Sequence, residues 1–373
     1  MEQKKRVCII EAGITGLAAC KYLLEREFQP MVFEADRSIG GLWKSTPAST
    51  RLQTTRWDYQ FSDFPWPEKV TEPSLDSKQV MEYLDSYAQR FGLNRHVRFG
   101  EKVEGIEYVG VGEEEMEAWH LWTRTGDAFG GGRRGVWHVI VRQDKDGAIE
   151  RWIFSKFTES YLRKTIPIPK HSFFRGIAAG LLAVLPEHFY NKVEEGSIIL
   201  KPSKTFEFRK NGVLTEGDVT TIKTDLVIYA TGFKGDQKLG NIFISLWFQK
   251  VVAGTKDMIV PLYRECIHPQ IPQMAIIAYS MSISNLYTSE IRARWLACFI
   301  DDGFKLPSKR EMEKNIIEWD KYYKTYYGNS IHTWYNDQLC KDMRCNLRRK
   351  KIFFVDLFIP YGPTDYVGLE LKK

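Results

Sequence analysis

A chain of 373 residues with 43% hydrophobic side chains can bury a sizeable core and make two or three domains, which excludes a disordered or fibrous protein. The net charge of +6 is dispersed except at Arg348-Arg349-Lys350-Lys351 beside Ile352-Phe353-Phe354, expected to be a solvated flank rather than a nucleic-acid or anionic-lipid patch. Six scattered cysteines, the closest pair being Cys340 and Cys345, and seven histidines without an H-x-x-x-H spacing give no disulfide framework, redox motif or metal site. The apolar runs are too short for a signal peptide or a transmembrane segment, so a cytoplasmic protein is expected, with peripheral membrane contact left open.

The chain opens as a βαβ unit: a strand at Val7-Cys8-Ile9-Ile10, a turn, a helix through Leu17 to Leu24, and a second strand ending Met31-Val32-Phe33-Glu34. The turn Glu11-Ala12-Gly13-Ile14-Thr15-Gly16 is E-x-G-x-x-G, where a dinucleotide fold has G-x-G-x-x-G. Gly13 would let backbone approach a pyrophosphate, Gly16 would let the helix pack on the strand, and the helix N-terminus would offer N–H groups to the phosphates. Glu34 would take ribose hydroxyls and repel a 2′-phosphate, which points to FAD or NAD rather than NADP. An ordinary βαβ unit with incidental glycines is the alternative. Ser38-Ile39-Gly40-Gly41-Leu42-Trp43 follows at once.

Downstream, apolar spacing predicts a helix over 78–91 with Val80, Leu84, Tyr87 and Phe91 on one face, ended by Gly92. Strand-like runs follow at 96–99, 103–108, 119–122 and 136–141, as in an antiparallel insert. Gly130-Gly131-Gly132-Arg133-Arg134-Gly135 also spells G-x-G-x-x-G, but it precedes a strand instead of opening a helix, so a hairpin loop is expected there. From Arg151 an amphipathic helix is predicted up to Pro167, and 151–200 holds no βαβ alternation. A hairpin is expected from Thr205-Phe206-Glu207-Phe208 through Asn211-Gly212 to Val213-Leu214. Buried strands are expected at Asp225 to Ala230 and Ala275 to Tyr279, then a helix over 286–299, and an aromatic helical tail in which Ile317, Trp319, Tyr322 and Tyr323 pack.

The stretch Leu52-Gln53-Thr54-Thr55-Arg56-Trp57-Asp58-Tyr59-Gln60-Phe61-Ser62-Asp63-Phe64-Pro65-Trp66-Pro67 resembles the plant branch of the flavin-containing monooxygenases, and Ala230-Thr231-Gly232-Phe233 is similar to that family's A-T-G-[YF] turn. The resemblance continues through Pro261-Leu262-Tyr263-Arg264 and Ser284-Asn285-Leu286-Tyr287-Thr288-Ser289-Glu290. It implies an α/β fold: a Rossmann-type FAD-binding lobe of the two-dinucleotide flavoproteins. FAD would lie against Glu11, Ala12, Gly13, Ile14, Thr15, Gly16, Glu34, Gly41, Leu42, Trp43, Thr54, Thr231 and Gly232. NADPH would be the reductant, O₂ the oxidant, and a small soft nitrogen or sulfur nucleophile the substrate, oxygenated through a C4a-hydroperoxyflavin. Gln53 stands where many members carry an asparagine near the flavin and is the catalytic candidate.

The family's F-x-G-x-x-x-H fingerprint and second nucleotide turn have no counterpart, so no NADPH site is found in this chain. The expected organisation is therefore 1–150 as the first part of the FAD domain with its β insert, 151–200 as a helical remnant of the NADPH domain, and 201–373 completing the FAD domain. A catalytically silent flavin-binding remnant is the alternative to an active monooxygenase. A flavoprotein reduced by another donor is a third reading.

Overall fold

The computed structural model describes residues 6–47, 50–112, 115, 135–143, 189–201, 203, 205–209, 212–217, 220–224, 226, 239–253, 260–277, 285–326, 332–358 and 361–369. The βαβ opening is present: β1 (Arg6–Ile10), α1 (Ile14–Glu25) and β2 (Gln29–Glu34). β1 pairs with β2 in parallel, and β2 pairs in parallel with β3 (Val97–Phe99). Every residue of α1 from Gly16 to Leu23 is buried. A helix covered all round has two neighbours to bury against, here the sheet on one side and α6 (Asn285–Ile300) on the other.

α2 (Leu42–Ser45) is a single turn, and α3 (Ser77–Arg90) is the helix predicted over 78–91. Its start is set by a reciprocal cap, in which Asp76 Oδ1 accepts the Gln79 N–H at 2.9 Å and Gln79 Oε1 accepts the Asp76 N–H at 3.1 Å. Its apolar face receives the aromatic segment 59–66. Phe61 stacks on Tyr87 at 3.9 Å between ring centroids and Trp66 on Tyr83 at 4.1 Å, while the Tyr83 hydroxyl accepts the Phe61 N–H and donates to the Phe64 carbonyl. Burial of each such ring is worth about 2 kcal/mol, so this stretch is a packing element of the first rank.

β4 (Glu101–Val109) and β5 (Val136–Gln143) form the expected antiparallel pair. Gly135 leads into β5 because a Cβ there would lie 2.5 Å from the Tyr108 ring. Ile106 bridges in parallel to Phe243, and Trp137 Nε1 donates to the Pro272 carbonyl at 2.8 Å, so the insert is tied to the C-terminal half. α4 (Phe189–Glu194) precedes the hairpin of β6 (Phe206–Arg209) and β7 (Gly212–Thr215), to which a short β8 (Ile222–Lys223) adds a third strand. That last strand, two residues long, was not anticipated. α5 (Leu246–Val252), α7 (Lys309–Tyr326), α8 (His332–Asp342) and α9 (Phe353–Phe358) complete the described helices.

Three expectations are corrected. The run 96–99 does not belong to the antiparallel insert: His96 ends a short 3-10 turn, and Val97–Phe99 pairs in parallel with β2 and extends the sheet of the βαβ opening. Residues 275–277 make no strand; the Ile276 N–H bonds instead to the Cys266 carbonyl at 2.8 Å, which closes a loop. Ile317 is exposed rather than packed, because Met312 and Ile316 occupy the inward face of α7 and place their neighbour toward solvent. The strand-like run 119–122, the loop 130–134, the helix predicted from 151, and the strand at 225–230 apart from Leu226 lie outside the described residues.

Candidate cofactor site

The first turn brings three stretches of backbone together. Glu11 has φ = 75°, a left-handed conformation that costs a residue with a Cβ about 1–2 kcal/mol. The Glu11 N–H is held by the Phe33 carbonyl at 2.8 Å, which anchors the turn on β2. A Cβ on Gly16 would sit 2.0 Å from the Glu11 carbonyl oxygen, so only glycine lets α1 leave the strand at this angle. Opposite, the loop after β2 folds back: the Gly40 N–H donates to the Ala12 carbonyl at 3.1 Å, and a Cβ on Gly41, at φ = 55°, would come within 3.0 Å of Gly13 Cα. Gly13, with ordinary φ = −78°, caps α1 without a side-chain hydrogen bond, which leaves the helix N–H groups aimed outward.

Glu34 is buried at the end of β2. Its Oε2 accepts the Ala12 N–H at 2.7 Å and its Oε1 the Asp36 N–H at 2.8 Å. Each carboxylate oxygen has a second acceptor direction, so ribose hydroxyls can still be taken. An uncapped helix N-terminus, two adjacent glycine backbones and a fixed carboxylate fit a dinucleotide.

The remaining predicted residues are distributed unevenly. Ala12 is fully buried, Ile14 and Thr15 begin α1, and Leu42 is exposed on α2. Trp43 donates from Nε1 to the Tyr59 hydroxyl at 2.6 Å, which ties the glycine loop to the aromatic segment. Gln53 is exposed on the turn after buried Leu52, with Thr54 half-buried beside it; no hydrogen bond brings either to the first turn among the described residues. Thr231 and Gly232 lie outside the described residues.

Sequence reasoning missed a buried polar network behind the turn. Lys21, inside α1, forms an ion pair with Asp63 and stands 4.3 Å from the Phe91 ring centroid. Tyr22 donates to Glu290 of α6, whose carboxylate also accepts from Ser62 N–H and Oγ, both at 2.7 Å. Burial pushes the Glu290 carboxyl above its ordinary value, although the hydrogen bonds oppose the shift. A signal was available: Lys21 is the one charge in the otherwise apolar stretch from Leu17 to Leu24.

α6 carries a second cluster. Arg292 donates to the Tyr335 hydroxyl at 2.8 Å and to Glu265 at 2.6 Å. Arg264 and Glu265, at φ = 52° and 48°, form the left-handed centre of a tight turn, and Arg264 is held by both oxygens of Asp342. A cavity of about 260 Å³ lies beside this turn, floored by Trp319, Trp334 and Tyr335; Trp319, expected to be packing, therefore lines a concavity as well.

Parallel strands joined through a glycine turn, with a helix N-terminus open beside a strand-end carboxylate, define an α/β flavoprotein. The flavin-binding monooxygenase-like family model matches residues 4–127 and 179–344, and the chain belongs to that family, in its plant branch. It is 28% identical to a probable flavin-containing monooxygenase 1 of Arabidopsis thaliana, covering 99% of this chain and 97% of the relative. It is 29% identical to a putative flavin-containing monooxygenase 2 of the same plant, over 92% and 98%. The solved S-allyl-L-cysteine S-oxygenase of Allium sativum shares the fold, with TM-score 0.56 and 15% identity over 91% of this chain and 89% of that one. The chain is thus an enzyme of the FAD-dependent monooxygenase type, in a family whose cofactors are FAD and NADPH.

Two features bear on its middle. The family match stops at 127 and resumes at 179. The first Arabidopsis alignment runs over 523 positions, 150 more than this chain has residues, so at least that many positions have no residue here.

Proposed function

We propose that the chain oxygenates small, soft nitrogen or sulfur nucleophiles with FAD held at the first turn. The observation that carries this reading is the approach of Gly13 and Gly41 in front of the uncapped N-terminus of α1. In this assignment the N–H groups of Ile14, Thr15 and Gly16 face the pyrophosphate, Glu34 takes the ribose, and Ala12, Glu11, Leu42, Trp43 and Thr54 border the cofactor. Bound FAD, reduced by NADPH, supplies the chemistry that activates O₂ and passes one oxygen atom to a lone pair on the substrate. Gln53 is assigned to orient the oxygen through its amide, and Thr231-Gly232, outside the described residues, is assigned to the flavin on the family resemblance alone. Residues 1–150 and 201–373 build the FAD domain together, with 151–200 as the residue of the second nucleotide domain; the packing of α1 on α6 and the bridge from Ile106 to Phe243 support that division.

A second reading, a flavin-binding remnant that NADPH does not drive, is favoured by the unmatched residues 128–178 and the excess of aligned positions. Hydride transfer needs the nicotinamide held against the flavin, and such positioning is worth roughly 7–11 kcal/mol of barrier. Anaerobic stopped-flow of FAD-loaded protein with NADPH separates the two. Fast, saturable bleaching, followed by NADPH-dependent oxygenation of a thioether or tertiary amine in air, supports the monooxygenase. A flavin that dithionite bleaches and O₂ restores, but NADPH leaves oxidised, supports the remnant or a different donor.

A further inference from the structure

The run 348–354 was expected to be a solvated flank, and its apolar half is not explained by solvation. Ile352, Phe353 and Phe354 are 61%, 53% and 70% exposed, three consecutive large apolar side chains standing in water at the start of α9. Their base is fixed. Arg349 is buried and paired with Asp337 at 2.7 Å, and its guanidinium lies 3.9 Å from the Tyr361 ring centroid. Lys350 pairs with Asp365 at 3.1 Å, and Asp356 accepts the N–H groups of both Arg349 and Lys350. Two of the four consecutive cations are therefore spent on holding the segment to the body of the protein. The other two, Arg348 and Lys351, are exposed and flank the apolar residues, with the Arg348 guanidinium 5.1 Å from the Phe353 ring centroid. Arg344 and Lys341 are exposed just upstream.

We propose that this segment is a membrane-surface contact: Ile352, Phe353 and Phe354 enter the headgroup region of an anionic bilayer while Arg348 and Lys351 meet lipid phosphates and carboxylates. Charge complementarity selects this occupant. Exposed cations beside exposed aromatic and aliphatic side chains fit an anionic bilayer surface, whose phosphates and carboxylates meet the charges while its acyl boundary takes the apolar groups. The contact is a surface one, since no helix among the described residues is long and apolar enough to cross a membrane. A short rigid run gives a reversible association whose strength depends on lipid charge and salt.

The test is flotation of the full chain with vesicles of pure phosphatidylcholine and of phosphatidylcholine mixed with phosphatidylserine. Binding is expected on the mixed vesicles and is expected to weaken on neutral ones and in high salt. Each cation removed costs about five-fold, so Arg348→Gln with Lys351→Gln weakens partitioning by about 25-fold. Phe353→Ser with Phe354→Ser weakens it by about ten-fold or more. All four side chains are exposed, and an unchanged melting temperature shows that the variants fold. Absence of vesicle binding, or binding that neither double variant reduces, overturns the proposal. A dimer in sedimentation velocity that Phe353→Ser with Phe354→Ser dissociates overturns it too, because the face would then be covered by a second copy.

Discussion

The carboxylate of Glu290 accepts the backbone N–H of Ser62 at 2.7 Å, although 228 residues separate the two along the chain. The same carboxylate takes the hydroxyls of Ser62 and Tyr22, so α1, the aromatic segment and α6 share one buried acceptor. Truncation would strand three donors in a site without water access. Glu290→Ala is expected to lower stability by about 3 kcal/mol or more, from about 1–3 kcal/mol for each buried donor left unpaired. Glu290→Gln, which keeps one acceptor, should fall between. Urea unfolding measures both; a midpoint for the alanine variant equal to that of the parent protein contradicts the assignment.

The left-handed Glu11 should be a liability for cofactor binding. Glycine removes a carboxylate from the neighbourhood of the pyrophosphate, where repulsion at roughly 6 Å and an effective dielectric near 20 is about 3 kcal/mol; the backbone strain of about 1–2 kcal/mol is present without the cofactor too, so its relief adds to the stability of the fold and not to affinity. Glu11→Gly should tighten FAD binding by one to three decades in a flavin-fluorescence titration, at about 1.4 kcal/mol per decade. An unchanged dissociation constant means that the side chain turns away from the cofactor.

His268 predicts a pH dependence. Burial, with the charge of Lys309 adding to it, pushes its imidazole from 6.5 down to about 4. Its Nδ1 accepts the Gln270 N–H at 3.1 Å, so the neutral form is built into the loop. Protons then bind the unfolded chain first. The contribution is present above pH 6.5, is lost as pH falls toward 4, and is on the order of 3 kcal/mol over that window. His268→Asn, which keeps an acceptor, should flatten stability between those pH values; an equally steep slope in the variant contradicts the assignment.

The sequence made the first 34 residues legible because local signals agree there: strand, glycine turn, helix and strand-end acid follow one another at fixed spacing. α3 was legible for the same reason, and its true start at Asp76 is a cap that the apolar spacing alone does not mark. Long-range polar pairing was not. Nothing at Lys21 names Asp63 as its partner, and nothing at Glu290 names Tyr22, since each match is made by folding. The segment 52–67, which carries the family resemblance, contributes mostly packing through Phe61, Trp66 and Tyr59, so resemblance and chemistry do not coincide residue by residue. Apolar composition misled at Ala275 to Ile277, where a hydrogen bond to Cys266 makes a loop of a strand-like run.

Gly16→Ala should fail where Gly13→Ala does not. The added methyl at Gly16 would be 2.0 Å from the Glu11 carbonyl, an overlap that backbone must move to relieve, at about 3 kcal/mol or more. Thermal unfolding of the cofactor-free protein should show a clear loss for Gly16→Ala; a melting temperature equal to that of the parent contradicts the packing described for α1.

Gly13→Ala gives the most direct test of the cofactor site. Its φ of −78° suits any residue, and the nearest atom to the new Cβ is Gly41 Cα at 3.6 Å, so the cofactor-free fold should keep its melting temperature. A methyl placed between backbone and pyrophosphate should nevertheless weaken FAD binding by about ten-fold or more, the cost of about 1.4 kcal/mol in lost approach. FAD titration of the parent and of Gly13→Ala, with thermal unfolding of both in the absence of FAD, decides it. Weaker binding at equal stability is the predicted result; equal FAD affinity in the two proteins would contradict a cofactor seated on this turn.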